Sequence, residues 1–295
     1  MNSTLVTRKD FLLTNKYGNA LACSFFENSI SKGPLPVVVY CHANGSCRLE
    51  AIQYKQLVLS SAVHFFCFDF TACGMSTGKY GSIGHFEQDD LDAVISYLKQ
   101  TQKVTKIALW GRSMGAVTSI MYSTKNPGDI CCIVADSAFA TFHRLVKELV
   151  KSKSSVPNFL TTLALKVIKR SVKKRANFDI NELKPIRYTP KLSIPALFGA
   201  PKDDTFVSAQ HTKDLYMTYN GKKKLTIFEG DHNSQRPLEW ILSVINFLKE
   251  QLHDEDFEKQ MASQKNPGFA RFGSMEREKP NFQRIEEKYS GKDDY

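Results

Sequence analysis

With 295 residues and 42% hydrophobic content, the chain is long enough to bury a sizeable core, as one large domain or two small ones. No stretch approaches the roughly 20 uninterrupted apolar residues of a membrane span, and MNSTLVTRKD lacks the apolar centre of a secretory signal, so the expectation is a cytoplasmic protein. The net charge of +10 is unevenly spread: residues 141–175 hold ten bases and one acid, Glu148, whereas 251–295 hold eight bases and ten acids, so any partner of the basic character belongs to the middle of the chain.

FLLTN (11–15) and LACSFF (21–26), joined by Lys16-Tyr17-Gly18-Asn19, read as an opening β-hairpin. Buried-strand runs follow at PVVVYCH (36–42), HFFCFDF (64–70), KIALWG (106–111), ICCIVAD (130–136), IPALFGA (194–200) and KLTIFEG (224–230). Amphipathic stretches separate most of them. In FEQDDLDAVISYLKQ (86–100), for instance, Leu91, Val94, Ile95 and Leu98 fall on one helical face. Strands alternating with helices predict an α/β fold, a mostly parallel sheet covered on both faces. The long interval between Asp136 and Ile194 holds two helical patterns, TFHRLVKELVK and NFLTTLALKVIKRSVKK, divided by Ser154-Ser155-Val156-Pro157; it predicts a small helical cap inserted at 138–190. After Leu252 the pattern becomes charged and interrupted, so 1–252 reads as the folded domain and 253–295 as a charged tail. The seven cysteines are odd in number, show no C-x-x-C pair and mostly lie in strand-like runs. Reduced, packed thiols fit that usage, and a disulfide framework or thiolate metal site does not.

The chemistry centres on ALWGRSMGAV (108–117). Here Ser113 stands between a strand and a helix, with glycines two residues before and after it. This is the pattern of a nucleophile elbow, a turn too sharp for neighbouring Cβ atoms; the same residues also suit an ordinary glycine-rich turn. A serine hydroxyl needs a base and a carboxylate that orients the base. His232, in GDHNSQRP after the last strand, has the position of a general base. The other histidines lie upstream, inside elements or in the tail. His42, at the end of PVVVYCH, reads as a structural hydrogen-bonding residue. Asp136, Asp203 and Asp204 all follow strands downstream of Ser113, and spacing alone does not separate them.

Six segments in order, HANGS (42–46), FDFTACGMSTG (68–78), GRSMGA (111–116), ADSAFA (135–140), KDDTFV (202–207) and GDHNSQRP (230–237), carry a wider resemblance. They are similar to the α/β-hydrolase superfamily, in its serine-aminopeptidase-like group, which includes acylglycerol lipases and depalmitoylases. The resemblance implies an α/β-hydrolase fold and a triad of Ser113, Asp204 and His232, with Asp204 favoured because Asp204-Thr205-Phe206-Val207 matches the group's D-x-x-V. It also implies an oxyanion hole formed by the backbone N–H groups of Asn44 and Met114, although Ala43 stands where glycine is usual. The implied reaction is acyl transfer with no metal or organic cofactor. A serine at the elbow excludes the aspartate chemistry of haloalkane dehalogenases and epoxide hydrolases.

The basic helix chooses among substrates. Leu160, Leu163, Leu165, Val167, Ile168 and Val172 offer an apolar surface, while Lys166, Lys169, Arg170, Lys173, Lys174 and Arg175 crowd another. An aminopeptidase needs an acid to hold its substrate's amine, and this segment offers almost only bases. The expectation is therefore a carboxylic ester or thioester hydrolase acting on a small acyl or lipid-like substrate. The basic helix is either a cap packed on the core or a peripheral contact with anionic membrane. Nucleic acid is not expected, because the basic segment lacks interleaved aromatics. A peptidase or amidase of the same fold, and a catalytically idle binding module, are the alternatives.

Overall fold

The computed structural model describes residues 6–31, 33–153, 158–255 and 257–259. The chain falls into two units, Met1–Leu252 and His253–Tyr295. In the second, Asp254 accepts the Phe257 N–H at 2.9 Å and the His253 ring stacks on Phe257; the remainder of the predicted tail, 260–295, lies outside the described residues.

Eight strands form one sheet in the first unit: β1 (Val6–Thr14), β2 (Ala20–Asn28), β3 (Leu35–Cys41), β4 (His64–Phe68), β5 (Val104–Arg112), β6 (Cys132–Asp136), β7 (Ala196–Pro201) and β8 (Lys223–Phe228). Their order is β1-β2-β4-β3-β5-β6-β7-β8; β1 and β2 pair antiparallel, as do β2 and β4, and all other pairs are parallel. Among the described residues there are seven α-helices: α1 (Lys55–Ser60), α2 (Glu87–Gln100), α3 (Met114–Lys125), α6 (Ala209–Thr218) and α7 (Leu238–Leu252) beside the sheet, and α4 (Phe142–Lys153) and α5 (Asn158–Ala176) in the inserted cap.

Strands β3, β4, β6 and β7 are buried along their whole length, and β5 from Ile107 to Gly111, because both faces are covered, which is why they read as continuous apolar runs. Period-two geometry sends alternate residues to opposite layers. Val37, Val39, Phe66, Leu109 and Ile133 meet Leu91 and Leu98 of α2, Ile120 of α3 and Leu215 of α6. Val38, Tyr40, Phe65, Trp110 and Val134 meet Val58 of α1 and Trp240, Val244 and Leu248 of α7. The first strand is a solvent-facing edge, where Lys9 and Lys103 share Glu27 at 2.9 Å each. Charge at an edge discourages pairing with another chain.

The sequence bounds shift by a few residues. The hairpin strands extend beyond 11–15 and 21–26, because β1 stays in register with β2 over nine pairs although Thr7, Arg8, Lys9 and Asp10 are polar and exposed. A 3-10 turn over Arg48–Tyr54 leading into α1 carries no clear periodicity in the sequence. The interval after β6 does contain two helices, α4 and α5, followed by three short 3-10 turns; residues 154–157 between the helices lie outside the described residues, as do the side chains of Leu160, Leu163, Leu165 and Ile168. All seven cysteines are free thiols, and burial pushes those of Cys23, Cys41 and Cys67 up to about 12. Among the described residues, no helix is long and apolar enough to cross a membrane.

Five histidines, His42, His64, His85, His143 and His211, are held below the ordinary histidine value, chiefly by burial. Three accept a backbone N–H on a ring nitrogen: His42 from Phe70, His64 from Asn28 and His211 from Ala140, at 3.0, 3.0 and 3.1 Å. Protonation would turn each acceptor into a donor facing a donor. As pH falls below about 6.5 the unfolded chain takes up these protons first, so the stability they confer is complete above that pH and is lost on acidification. Asp90, raised to about 6 by burial, contributes the opposite sign, but it is one group against five. The melting temperature is therefore expected to fall between about pH 7 and about pH 5 in a thermal scan; a flat or rising profile would contradict this account.

Candidate active site

The tight turn between β5 and α3 holds Ser113 at φ 51° and ψ −112°, a left-handed region that costs a non-glycine residue energy. The surroundings fix that conformation. The Ser113 N–H donates to the Asp136 carbonyl at 2.8 Å, and the Ser113 carbonyl accepts the Val117 N–H at 3.1 Å, the first bond of α3. A Cβ on Gly111 would collide with the Gly115 carbonyl, and one on Gly115 with the Cys41 carbonyl at the end of β3. The two glycines thus let three backbone segments close around the serine.

The segments after β7 and β8 meet Ser113 at the same sheet edge. His232 Nε2 lies 3.1 Å from Ser113 Oγ, and His232 Nδ1 lies 2.7 Å from Asp204 Oδ2. With Asp204 ionised, Nδ1–H donates to the carboxylate, which leaves Nε2 to accept the serine proton. The other oxygen, Asp204 Oδ1, accepts the N–H groups of Phe206 and Val207 at 2.9 and 2.6 Å, so the carboxylate is held from both sides. The Phe206 ring packs on the imidazole, with centroids 5.0 Å apart. All three polar side chains are buried. The loops are tied together by Asp231, whose carboxylate accepts the Thr205 N–H at 2.8 Å; that bond, with the His232 N–H, holds Asp231 below the usual carboxylate range.

The other two aspartates go elsewhere. Asp203 is exposed, and its N–H donates to the Gly230 carbonyl. Asp136 is buried beneath the site and receives Arg236 Nε and Nη2 at 2.8 and 2.9 Å, the Ser137 hydroxyl at 2.8 Å and Trp240 Nε1 at 3.3 Å. Its acceptor positions are filled by donors other than His232.

Asn44 and Met114 sit on the two segments that flank the serine. Met114 opens α3, where unsatisfied N–H groups and the helix dipole favour negative charge. Asn44 lies in the loop after β3, and that loop is anchored on either side of it. His42 Nδ1–H donates to the Ala43 carbonyl at 2.7 Å while its Nε2 accepts from Phe70; the Ala43 N–H donates to Glu50 at 3.1 Å, and the Ser46 N–H returns to the Ala43 carbonyl at 3.2 Å. Among the described residues, neither the Asn44 nor the Met114 N–H has a hydrogen-bond partner.

Sequence reasoning passes over three supporting residues. Glu50 accepts from Ala43, from the Tyr40 hydroxyl at 2.9 Å and from Arg112 at 3.1 Å; Arg112 in turn donates to the His232 carbonyl at 2.7 Å. Arg112 and Glu50 thereby couple the Asn44 loop to the His232 loop. Arg236 adds its Nη1 to the carbonyls of Asp231, His232 and Ser234, at 3.2 to 3.3 Å. Arg112 fills the variable position of G-x-S-x-G, and Arg236 lies inside GDHNSQRP, so the motifs contain both. Glu50 has no sequence signal. Among the described residues, no group of three or more His, Cys, Asp or Glu side chains is placed to hold a metal ion.

Compared with known proteins, residues 36–184, just over half of the chain, match the alpha/beta hydrolase fold family. The chain belongs to the alpha/beta hydrolase fold family. Ser113 lies inside the matched segment, and Asp204 and His232 lie after it. The chain is 30% identical over 198 residues to the uncharacterized protein YqkD of Bacillus subtilis, covering 66% of this chain and 64% of that one. It is 26% identical over 203 residues to human protein ABHD12B, covering 66% and 52%. The chain thus spans less than two thirds of the length of either relative. A solved structure, the Pyrococcus furiosus esterase Pf2001, is similar at 25% identity and a TM-score of 0.66, covering 86% of this chain and 95% of that one. The fold read from the sequence motifs is the fold observed.

Proposed function

We propose that this protein is a serine hydrolase that cleaves carboxylic ester or thioester bonds through an acyl-enzyme intermediate. The observation that carries the reading is the hydrogen-bonded chain from Asp204 through His232 to Ser113 Oγ, at 2.7 and 3.1 Å, in a buried site at a helix N-terminus. His232 Nε2 takes the Ser113 proton as Oγ attacks the substrate carbonyl, and Asp204 stabilises the imidazolium that forms. The oxyanion is received by the N–H groups of Asn44 and Met114, and His232 then protonates the departing alcohol or thiol. Water, deprotonated by the same histidine, releases the acid and restores Ser113. The similarity to a named esterase agrees with this reaction class. The ester and thioester preference rests on the basic character of the cap, which offers a substrate amine little to bind.

A fluorophosphonate probe tests the reading directly, because it labels an activated serine irreversibly. Labelling of the folded wild-type protein that disappears in Ser113→Ala is expected, as is turnover of p-nitrophenyl or acyl-CoA thioester substrates in preference to aminoacyl amides. A folded protein that takes no label leaves a binding module as the reading. Preferential cleavage of the amides moves it to a peptidase.

A further inference from the structure

In a parallel sheet the segments that follow the strands share one edge, and here that edge also carries Ser113, Asp204 and His232. The β1–β2 turn joins it, because the Ala20 N–H donates to Thr77, in the loop after β4, at 2.8 Å. Nine large apolar side chains are exposed among the described residues. Six of them, Tyr17, Leu49, Met75, Tyr80, Val167 and Phe206, belong to segments at this edge or to the cap that rises from it. Single exposed apolar residues are ordinary; six of nine on the segments of one edge and its cap are not.

The same side carries the positive charge. Helix α5 has six cations and no acid in its 19 residues; Lys169 pairs with Asp179 at 2.9 Å, and Lys173 adds its charge to the same carboxylate. Lys166, Lys169, Arg170, Lys173 and Lys174 border a surface cleft of about 390 Å³. Val167, 60% exposed, stands among these cations, whereas Val172 on the other side of the helix packs against the core. Where α5 ends, a second pocket of about 310 Å³ sets Lys79 and Arg175 beside the rings of Tyr17, Tyr80 and Phe86. A soluble acidic partner would account for the cations alone. A bilayer surface accounts for both features, since cations meet anionic headgroups while apolar side chains enter the acyl boundary and tyrosines sit at headgroup level.

We infer that this edge docks on anionic lipid bilayers, with α5 supplying the charge and Leu49, Met75, Val167 and Phe206 the apolar contact, so that Ser113 faces acyl groups held in the membrane. The inference rests on the hydrolase reading for its purpose, but docking is measured without turnover. In co-sedimentation, the full-length protein should bind phosphatidylcholine vesicles that contain phosphatidylserine, bind pure phosphatidylcholine weakly, and be released by high salt. The triple variant Arg170→Gln, Lys173→Gln, Lys174→Gln should lose about 100-fold in partitioning to the anionic vesicles, at roughly fivefold per cation. Val167→Asp should weaken binding as well. All these positions are on the surface, and an unchanged thermal melting temperature reports that the variants remain folded. Equal binding to neutral and anionic vesicles, undiminished binding of the triple variant, or binding to heparin or RNA but not to vesicles would overturn the inference. Ser113→Ala should dock like the wild type. A protein that docks but takes no fluorophosphonate label would retain this surface and lose only the hydrolase reading.

Discussion

Replacing Ser113 with alanine is expected to lower ester hydrolysis by about 10⁴- to 10⁶-fold, with binding of substrate little changed. The size follows from the arrangement: His232 and Asp204 act only through the hydroxyl they activate, so removal of Oγ removes the contribution of all three at once. The expected fall is in kcat, measured with a short p-nitrophenyl ester. The substitution also replaces one small buried side chain by another, so the fold should survive. Asp204→Asn is the second arm. It keeps the shape, but its amide can donate to Nδ1 and so favours the wrong tautomer, which predicts a loss on the order of 10⁴-fold. Asp203→Asn, on an exposed side chain, should change little. A protein in which Asp203→Asn is the damaging change would refute the assignment of Asp204 as the orienting acid.

The second large effect concerns stability. Arg236→Ala is expected to cost about 3–5 kcal/mol in chemical denaturation, because it strands the Asp136 carboxylate in a buried site. Both partners are almost completely inaccessible, and their pairing is bidentate. Lysine should not rescue the site, since an ammonium cannot offer the two parallel donors that a guanidinium does. Removal of both charges, as in Asp136→Leu with Arg236→Met, should cost less than Arg236→Ala alone, because no buried charge is left without a counterpart. Arg236 also holds three carbonyls of the His232 loop, so Arg236→Ala should lower activity in whatever fraction remains folded. A loss below about 1 kcal/mol would place this pair among the weak surface bridges and contradict its burial.

Some of this was legible in the chain because its physical cause is local. The continuous apolar runs from Pro36 to Ala200 mark the inner strands, since a parallel strand buried on both faces needs no polar alternation; KLTIFEG, read as the same kind of run, is instead the edge strand β8 and is largely half-exposed. The glycines around Ser113 announced a sharp turn because no other residue fits between β3 and α3 at that approach. His232 was recognisable from its place between a strand and a helix. The charge of α5 was legible too, being composition alone.

Other features depended on distance in space. Asp203 and Asp204 are neighbours with the same chemistry, and only the path of the backbone after β7 turns one inward to His232 and leaves the other in solvent. Asp136 looked equally available until Arg236, one hundred residues later, was found filling its acceptor positions. Glu50 carried no signal, because its value lies in meeting Tyr40, Ala43 and Arg112 from three different elements. The sequence by itself thus determined the strand pattern, the elbow serine and the basic helix, each governed by short-range sterics or composition. Which carboxylate faces the histidine, what holds the loops, and the gathering of exposed apolar residues on the site's own edge were decided only by the tertiary structure, because hydrogen bonds and surfaces join residues that the chain keeps far apart.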